Sequence, residues 1–387
     1  GMASREVTVD FARMGAKTRA MSLITAFFNA AVQGEERVIR AFAENPVGTT
    51  TRMMAAITLP SILLYLSNRN DPRWKEIPRW QKDLSWIVFT DEHIYRIPKA
   101  HSAGIIFGSL PERMLEAFES DNPGALKDLE KSILSTFVPN MIPTFAAPVV
   151  DQFANRSLFT GAPLIPAAQE KMLPEYQYTE YTTELAKAIG QIMGAFPGMR
   201  DRSIRDEDTF IGGVARALTT PILVENYVRS WTGGLGQYVL QLADKALREA
   251  DVLPDPVKPL DTLSDLPVIK AFVIRYPSAS AQSIQDFYDD YFASKRLYDT
   301  KMMLAKEGDL DAFDKVQNID PMAWDSMAGI RDTIADQAKL IRLIYKNPDL
   351  TPEDKRQIID ATYGRMIELA KIGNDAMRDI EHILGEP

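Results

Sequence analysis

Three histidines, a scatter of carboxylates and no cysteine are what this 387-residue chain offers for chemistry. His93, His101 and His382 carry no HxxxH or HxxE spacing, so no helix face presents two ligands to a metal. Without cysteine there is no thiolate nucleophile, no disulfide and no sulfur-held metal, and the redox compartment stays unreadable. A Ser-His-Asp arrangement assembles in space and obeys no spacing rule, but the GxSxG elbow that would present its serine is missing. Catalytic, metal-binding and cofactor-binding residues are therefore all read as none, and the chain as not an enzyme.

Three stretches imitate a site. WTGGLGQY, Trp231–Tyr238, sets glycines ahead of a helix, where backbone N–H groups could meet a phosphate. It lacks the GK[ST] ending, and the ILVENYVRSWT before it reads as helix, not as the strand a dinucleotide fingerprint needs. Helix, glycine turn, helix is the favoured reading. EGDLDAFD, Glu307–Asp314, lacks the EF-hand spacing and reads as a solvated helix start. DPRWKEIPRWQKDLSW, Asp71–Trp86, spaces Trp74, Trp80 and Trp86 evenly among Arg73, Lys75, Arg79 and Lys82. Base stacking, a lipid-interface seat and a loop clamped onto the core all fit it, with the clamp favoured.

The elements around these stretches are mainly helical. The formal charge is −9, from 44 basic and 53 acidic residues, which argues against nucleic-acid binding as the main task. The short basic clusters RMGAKTR (Arg13–Arg19) and MRDRSIR (Met199–Arg205) read as solvated helix ends. Val38, Ile39 and Phe42 form one helix face that stops at Asn45-Pro46. ITLPSILLYLSNRNDPRW, Ile57–Trp74, runs from apolar to polar. A membrane-spanning helix needs about 20 apolar residues. Met53–Leu66 supplies fourteen, interrupted by Pro60. The expectation is a buried helix kinked or started at Pro60, with NRNDPRW as its exit turn.

SWIVF and HIYRIPK read as the one small β-hairpin, over 85–98. A helix restarts with Ser109 as its N-cap and Pro111 in its first turn. Six prolines in 138–174 allow only short helical turns, and Thr182 or Thr183 caps the next helix. Two domains are expected: an irregular helical core over 1–277 and a long-helix extension over 278–387. In the extension, Pro321–Lys346 and Pro352–Leu384 read as an antiparallel pair, with Thr351 and Asp354 forming a capping box. Its packing stripe is read as Ile358, Thr362, Met366, Leu369, Ile372, Met377, Ile380 and Leu384. Gly1-Met2 reads as an added start, and SREVTVDFARMG as the middle of a longer polypeptide.

Five segments in register carry a family resemblance. They are ITLPSILLYLSNRNDPRWKEIPRWQKDLSWIV, YRIPKAHSAGIIFGSLPERMLE, IPTFAAPVVDQFANRSLFTGAPLIP, LPEYQYTEYTTELAKAIG and SWTGGLGQYVLQLAD. The series resembles the thirty-eighth of the large polyvalent protein-associated domains, over roughly Ser4 to Tyr288. That resemblance implies a non-catalytic helical module of a giant bacteriophage protein. It would be packaged inside the virion, delivered with the genome, and then sited in the host envelope or cytoplasm. Implied partners are other domains of the same polypeptide and other virion proteins, without specific nucleic acid and with transient membrane contact left open. Two alternatives remain: an accessory module of a virion polymerase or cell-wall hydrolase, and a membrane-inserting segment. The resemblance transfers no catalytic residue. Its motif positions are architectural: Pro60, Asn68, Asp71, Pro72, Trp74, Pro78, Trp80, Gly108, Pro111, Gly161, Pro163, Gly233, Gly234 and Gly236.

Overall fold

Proline and its capping neighbours decide where the first helices begin. The computed structural model describes residues 28–120, 146–157, 163–166, 169–197, 210–232, 234–315 and 321–385. The motif positions Gly161 and Gly233, and both basic clusters, lie outside these. The helix Phe28–Glu44 stops before Pro46, and the Asn45 side chain accepts the Gly48 N–H to start the helix Pro46–Met53. Within the first helix Val38 and Phe42 are half-buried, but Ile39 is exposed. One residue is about 100° of helical turn, and that step carries Ile39 off the packed face.

The chain forms two compact units. The first is drawn from the described residues of Gly1–Ile57, Ala100–Phe107 and Leu129–Pro256. It packs the helices Ala147–Ala154, Glu184–Ala195, Phe210–Thr219, Pro221–Trp231 and Leu235–Glu249 against one another. Thr183 is the cap of Glu184–Ala195: its hydroxyl accepts the Ala186 N–H. The glycine stretch is the helix–turn–helix expected of it. Gly234, at φ +92°, occupies the left-handed region that a side chain would resist.

The second unit is drawn from the described residues of Thr58–Lys99, Gly108–Asp128 and Val257–Pro387. Its expected hairpin is β1, Ser85–Phe89, antiparallel to β2, Ile94–Pro98, with Ser85 opposite Pro98 and Phe89 opposite Ile94. A strand not foreseen, β3 (Val273–Ile274), completes a three-stranded sheet by pairing with Tyr95 and Ile94. Two residues are too few to show a period, so the sequence gives no signal for it. Tyr65, Trp74, Ile77, Ile87, Ile94 and Ile274 form the apolar core beside the sheet.

A second core in this unit lies among three long helices. Gln282–Glu307 ends on Gly308, at φ +75°, and packs against the pair Pro321–Lys346 and Pro352–Gly385. Met327, Ile334 and Ile341 recur every seven residues on one helix, as do Ile359 and Met366, and Tyr363 and Ala370, on its partner. A seven-residue repeat keeps one seam turned toward the neighbouring helix. The expected stripe is thus corrected: Met366 and Thr362 are buried, while Ile358 and Ile372 are exposed beside the seam. Asp309 caps the next short helix through the Ala312 N–H, a local use for that acidic cluster.

Half of the expected capping box forms, the reciprocal bond to Asp354 running from the Thr351 hydroxyl instead of its backbone N–H. Thr351 Oγ1 accepts the Asp354 N–H at 3.1 Å and donates to Asp354 Oδ2 at 2.8 Å. Thr351→Ala should lower the unfolding free energy by about 1 kcal/mol, measured by urea denaturation. An unchanged midpoint would show that the Pro352 start alone sets this helix.

Candidate functional site

The motif positions of the second unit gather around a buried polar cluster. Asp71 caps the helix Pro72–Glu76 by accepting the Arg73 N–H, and its carboxylate also pairs with the Arg73 guanidinium at 2.7 Å. Pro72 takes the first helical position. Trp74 is buried edge-on between Tyr65 and Phe89, with the Lys82 amine over its ring. Pro78 precedes the helix Arg79–Leu84. Trp80 is partly exposed, and the Trp86 indole donates to Ser61. The three tryptophans therefore share no face: Trp74 and Trp86 hold the segment down while Trp80 looks out. Asn68 donates to the Ile87 carbonyl at 2.7 Å, joining its helix to β1.

Pro60 and Pro111 occupy matching local structures. Each follows a leucine and a five-residue π turn, Met54–Thr58 before Pro60 and Ile105–Ser109, including buried Gly108, before Pro111. Proline lacks an N–H and crowds the carbonyl four residues back, and a widened turn removes the conflict without ending the helix. The α segments Leu59–Asn68 and Leu110–Ser120 do begin with Pro60 and Pro111 in their first turns, as expected, but each runs on from its π turn without a break. Pro60 lies inside one helix, Pro46–Asn68, of 23 residues. Ser109 is no cap; its hydroxyl donates to the Asp83 carbonyl at 2.6 Å.

That helix is also not the buried core element expected. Ile57, Ser61, Tyr65 and Asn68 face inward, and Ser61 is 0% exposed while Leu63 is 57% exposed. Leu59 and Leu66 are exposed as well. The polar side is inside because it bonds there: Ser61 to Trp86, Asn68 to Ile87, and Tyr65 to Glu119 at 2.8 Å. Leu110–Ser120 repeats the inversion, burying Glu112 and Arg113 while Met114 and Phe118 are exposed.

The cluster those helices cover is dense in charge. Lys99 Nζ spends its three protons on the Lys82 carbonyl, Ser109 Oγ and Glu112, at 2.9, 3.1 and 2.7 Å. Arg113 donates to Asp83 at 2.9 Å, to Glu116 at 2.6 Å and to the Arg79 carbonyl at 3.0 Å. Lys82 lies 3.7 Å from Glu116, and Arg79 pairs with Asp286. Four cations (Arg79, Lys82, Lys99, Arg113) thus meet four carboxylates (Asp83, Glu112, Glu116, Asp286), leaving no net charge to draw an ion.

Burial pushes the Lys82 amine down to about 8 and also lowers Lys99, against the pull of their carboxylates. It raises Glu112. At Glu116 burial works upward too, but Lys82 and Arg113 outweigh it and the carboxyl lies below its usual range. The Lys82 shift has a stability consequence. Between about pH 8 and the unfolded lysine value of 10.5, the unfolded chain binds a proton that the folded chain has released. Stability therefore rises with pH from 8 to about 9.5, and it should rise less in Lys82→Met. Urea midpoints at three pH values check this; identical slopes in both proteins would contradict it.

The remaining described motif positions lie in the first unit. Pro163 bridges to Arg156, and Gly236 donates its N–H to Thr232 Oγ1. Pro163 and Gly234 both line an open cleft of about 850 Å³, with Asp151, Tyr181, Glu225 and Arg229 among its other residues. Among the described residues, no group of three or more His, Asp and Glu side chains is placed to hold a metal.

Sequence reading missed the charge cluster. Its residues look like a surface, because Glu112, Arg113 and Glu116 take one helix face and Met114 and Phe118 the other. Periodicity says that a helix has two faces, not which of them is inside. The only signal was a pair of serines, Ser61 and Ser109, within apolar runs.

The fold and this cluster define a helical module whose polar interior is neutralised by its own ion pairs. The chain belongs to the large polyvalent protein-associated domain 38 family, whose model matches residues 71–269, just over half of it. It is therefore a module of a phage large polyvalent protein. Pro60 and Asn68 precede the matched span, and the long C-terminal helices follow it. No curated protein and no solved structure matches the chain.

Proposed function

We propose that this module is a non-catalytic structural and interaction part of its polyvalent protein, carried inside the virion and delivered with the genome. Its partners in this reading are neighbouring domains of the same polypeptide and other virion proteins. The supporting observation is the charge cluster. Its cations and carboxylates are spent on one another and on backbone carbonyls, so they serve to hold the hairpin between helices. A general base or acid would need a polar group with spare capacity beside a place for substrate. Quantitative mass spectrometry of gradient-purified particles tests the assignment. Peptides from this chain should be present in constant ratio to capsid protein; peptides found in infected cells but absent from particles would refute it.

A second reading, contact with a membrane surface during delivery, is favoured by the inverted helices. Among the described residues, Pro46–Asn68 is the one helix long and apolar enough to cross a membrane, and only 17% of its most apolar window is buried. The fourteen-residue length argument does not hold against it, because the π turn lets the helix run through Pro60. Leu59, Leu63, Leu66, Met114 and Phe118 supply an outward apolar face within the second unit. Liposome flotation of the whole chain should carry protein upward with the vesicles. Protein wholly in the soluble fraction at neutral and acidic pH would remove this reading.

A further inference from the structure

The cleft of the first unit holds a donor without a partner. Asn226 is 3% exposed and lies on the cleft wall. Its Oδ1 accepts from the Arg229 guanidinium at 3.0 Å, and a guanidinium only donates, so this contact fixes which way the amide points. The other arm, Nδ2, is buried and makes no hydrogen bond. A buried donor in that state carries an uncompensated desolvation cost, which an acceptor on a ligand would remove.

A second feature asks for the same group. The 15-residue helix Leu235–Glu249 starts at the cleft with no side-chain cap, and Gly234 and Gln237 line the opening. The N–H groups of Gly234, Gly236 and Gln237 are taken by the Arg229 carbonyl, Thr232 Oγ1 and the Gly234 carbonyl. That of Leu235 is left at the positive end of the helix dipole. Arg229 is exposed and lines the same cleft.

We propose that this cleft binds a carboxylate-bearing ligand, held by Asn226 Nδ2, the Arg229 guanidinium and the start of the helix Leu235–Glu249. The neighbouring acids select the charge. Asp151 and Glu225 also line the cleft, and their field opposes a phosphate dianion more strongly than a monoanion. Burial raises the Glu225 carboxyl, against the Thr183 N–H and hydroxyl that both donate to it at 2.8 Å and against Arg229. The cleft is far larger than one carboxylate, so the group is the end of a bigger molecule.

Thermal unfolding of the full chain, titrated with acetate, acetamide or inorganic phosphate at constant ionic strength, tests the proposal. Acetate should raise the midpoint, growing with concentration as mass action requires, and more than either of the other two. Arg229→Ala should weaken acetate binding by about tenfold or more, read as the acetate concentration giving half the midpoint shift relative to that variant's own unliganded midpoint. Arg229→Lys should restore part of it. In parallel, the Asn226 side-chain amide resonances should move with acetate. The proposal fails if acetate gives no shift, if acetamide or phosphate matches it, or if Arg229→Ala binds acetate as well as the wild type.

Discussion

Arg113→Met should lower the unfolding free energy by about 3–5 kcal/mol, among the largest single effects in the chain. The Arg113 and Asp83 side chains are 3% and 2% exposed, and the guanidinium bonds Asp83, Glu116 and the Arg79 carbonyl together. Methionine fills similar space but leaves the Asp83 carboxylate without its counter-ion in a place water does not reach. The penalty comes from that stranded charge more than from the attraction lost. Arg113→Lys should recover only part, because one ammonium cannot reproduce a three-way fork. Urea denaturation followed by circular dichroism measures both variants. A loss under about 1 kcal/mol in the methionine variant would place these charges among surface pairs, contrary to their burial.

Phe287→Ala should cost a similar amount, about 3–5 kcal/mol, by a different route. Phe287 is fully buried among Ile284, Tyr291, Met327 and the residues of Pro352–Gly385. Its ring packs so closely on Gly373 that a Cβ there would lie 2.5 Å from two ring carbons. Alanine at 287 removes the ring and leaves a cavity that glycine, having no side chain, cannot fill. The double variant Phe287→Ala with Gly373→Ala should recover part of the loss, which separates the cavity from any general weakness of the helices. Additive losses in the double variant would show that the two positions do not share this space.

What was legible in the sequence was chiefly its punctuation. Asn45-Pro46 marks a helix end, and Thr183 and Thr351-Pro352 mark helix starts through local hydrogen bonds; local rules read these correctly, though not the Asn45 cap that starts the next helix. The hairpin was readable because two β-rich runs flank a short turn, in which Thr90 and His93 close on each other. The resemblance that the family model bears out was carried by order among segments, not by any single residue. Direction was not legible. Leu59–Leu66 and Leu110–Phe118 present apolar and polar faces, and hydropathy assigns the apolar one to the interior; here a hydrogen bond to Ser61 and others from Asn68, Lys99 and Arg113 hold the polar one there instead. The cleft donors were hidden for a related reason. An asparagine mid-helix looks neutral in sequence, and only the Arg229 contact shows that half of its amide is left over.

The proposed role makes one demand that no folding measurement can meet: the module must enter the cell with the particle. Phage grown on an isotopically heavy host and used to infect a light one labels only protein that was packaged. Heavy peptides of this chain should then appear inside washed cells, in the envelope or cytoplasmic fraction, within minutes of adsorption and with host synthesis blocked. Heavy peptides that stay with the shed particles, or a chain found only in light form, would contradict delivery and leave a module that acts where it is made.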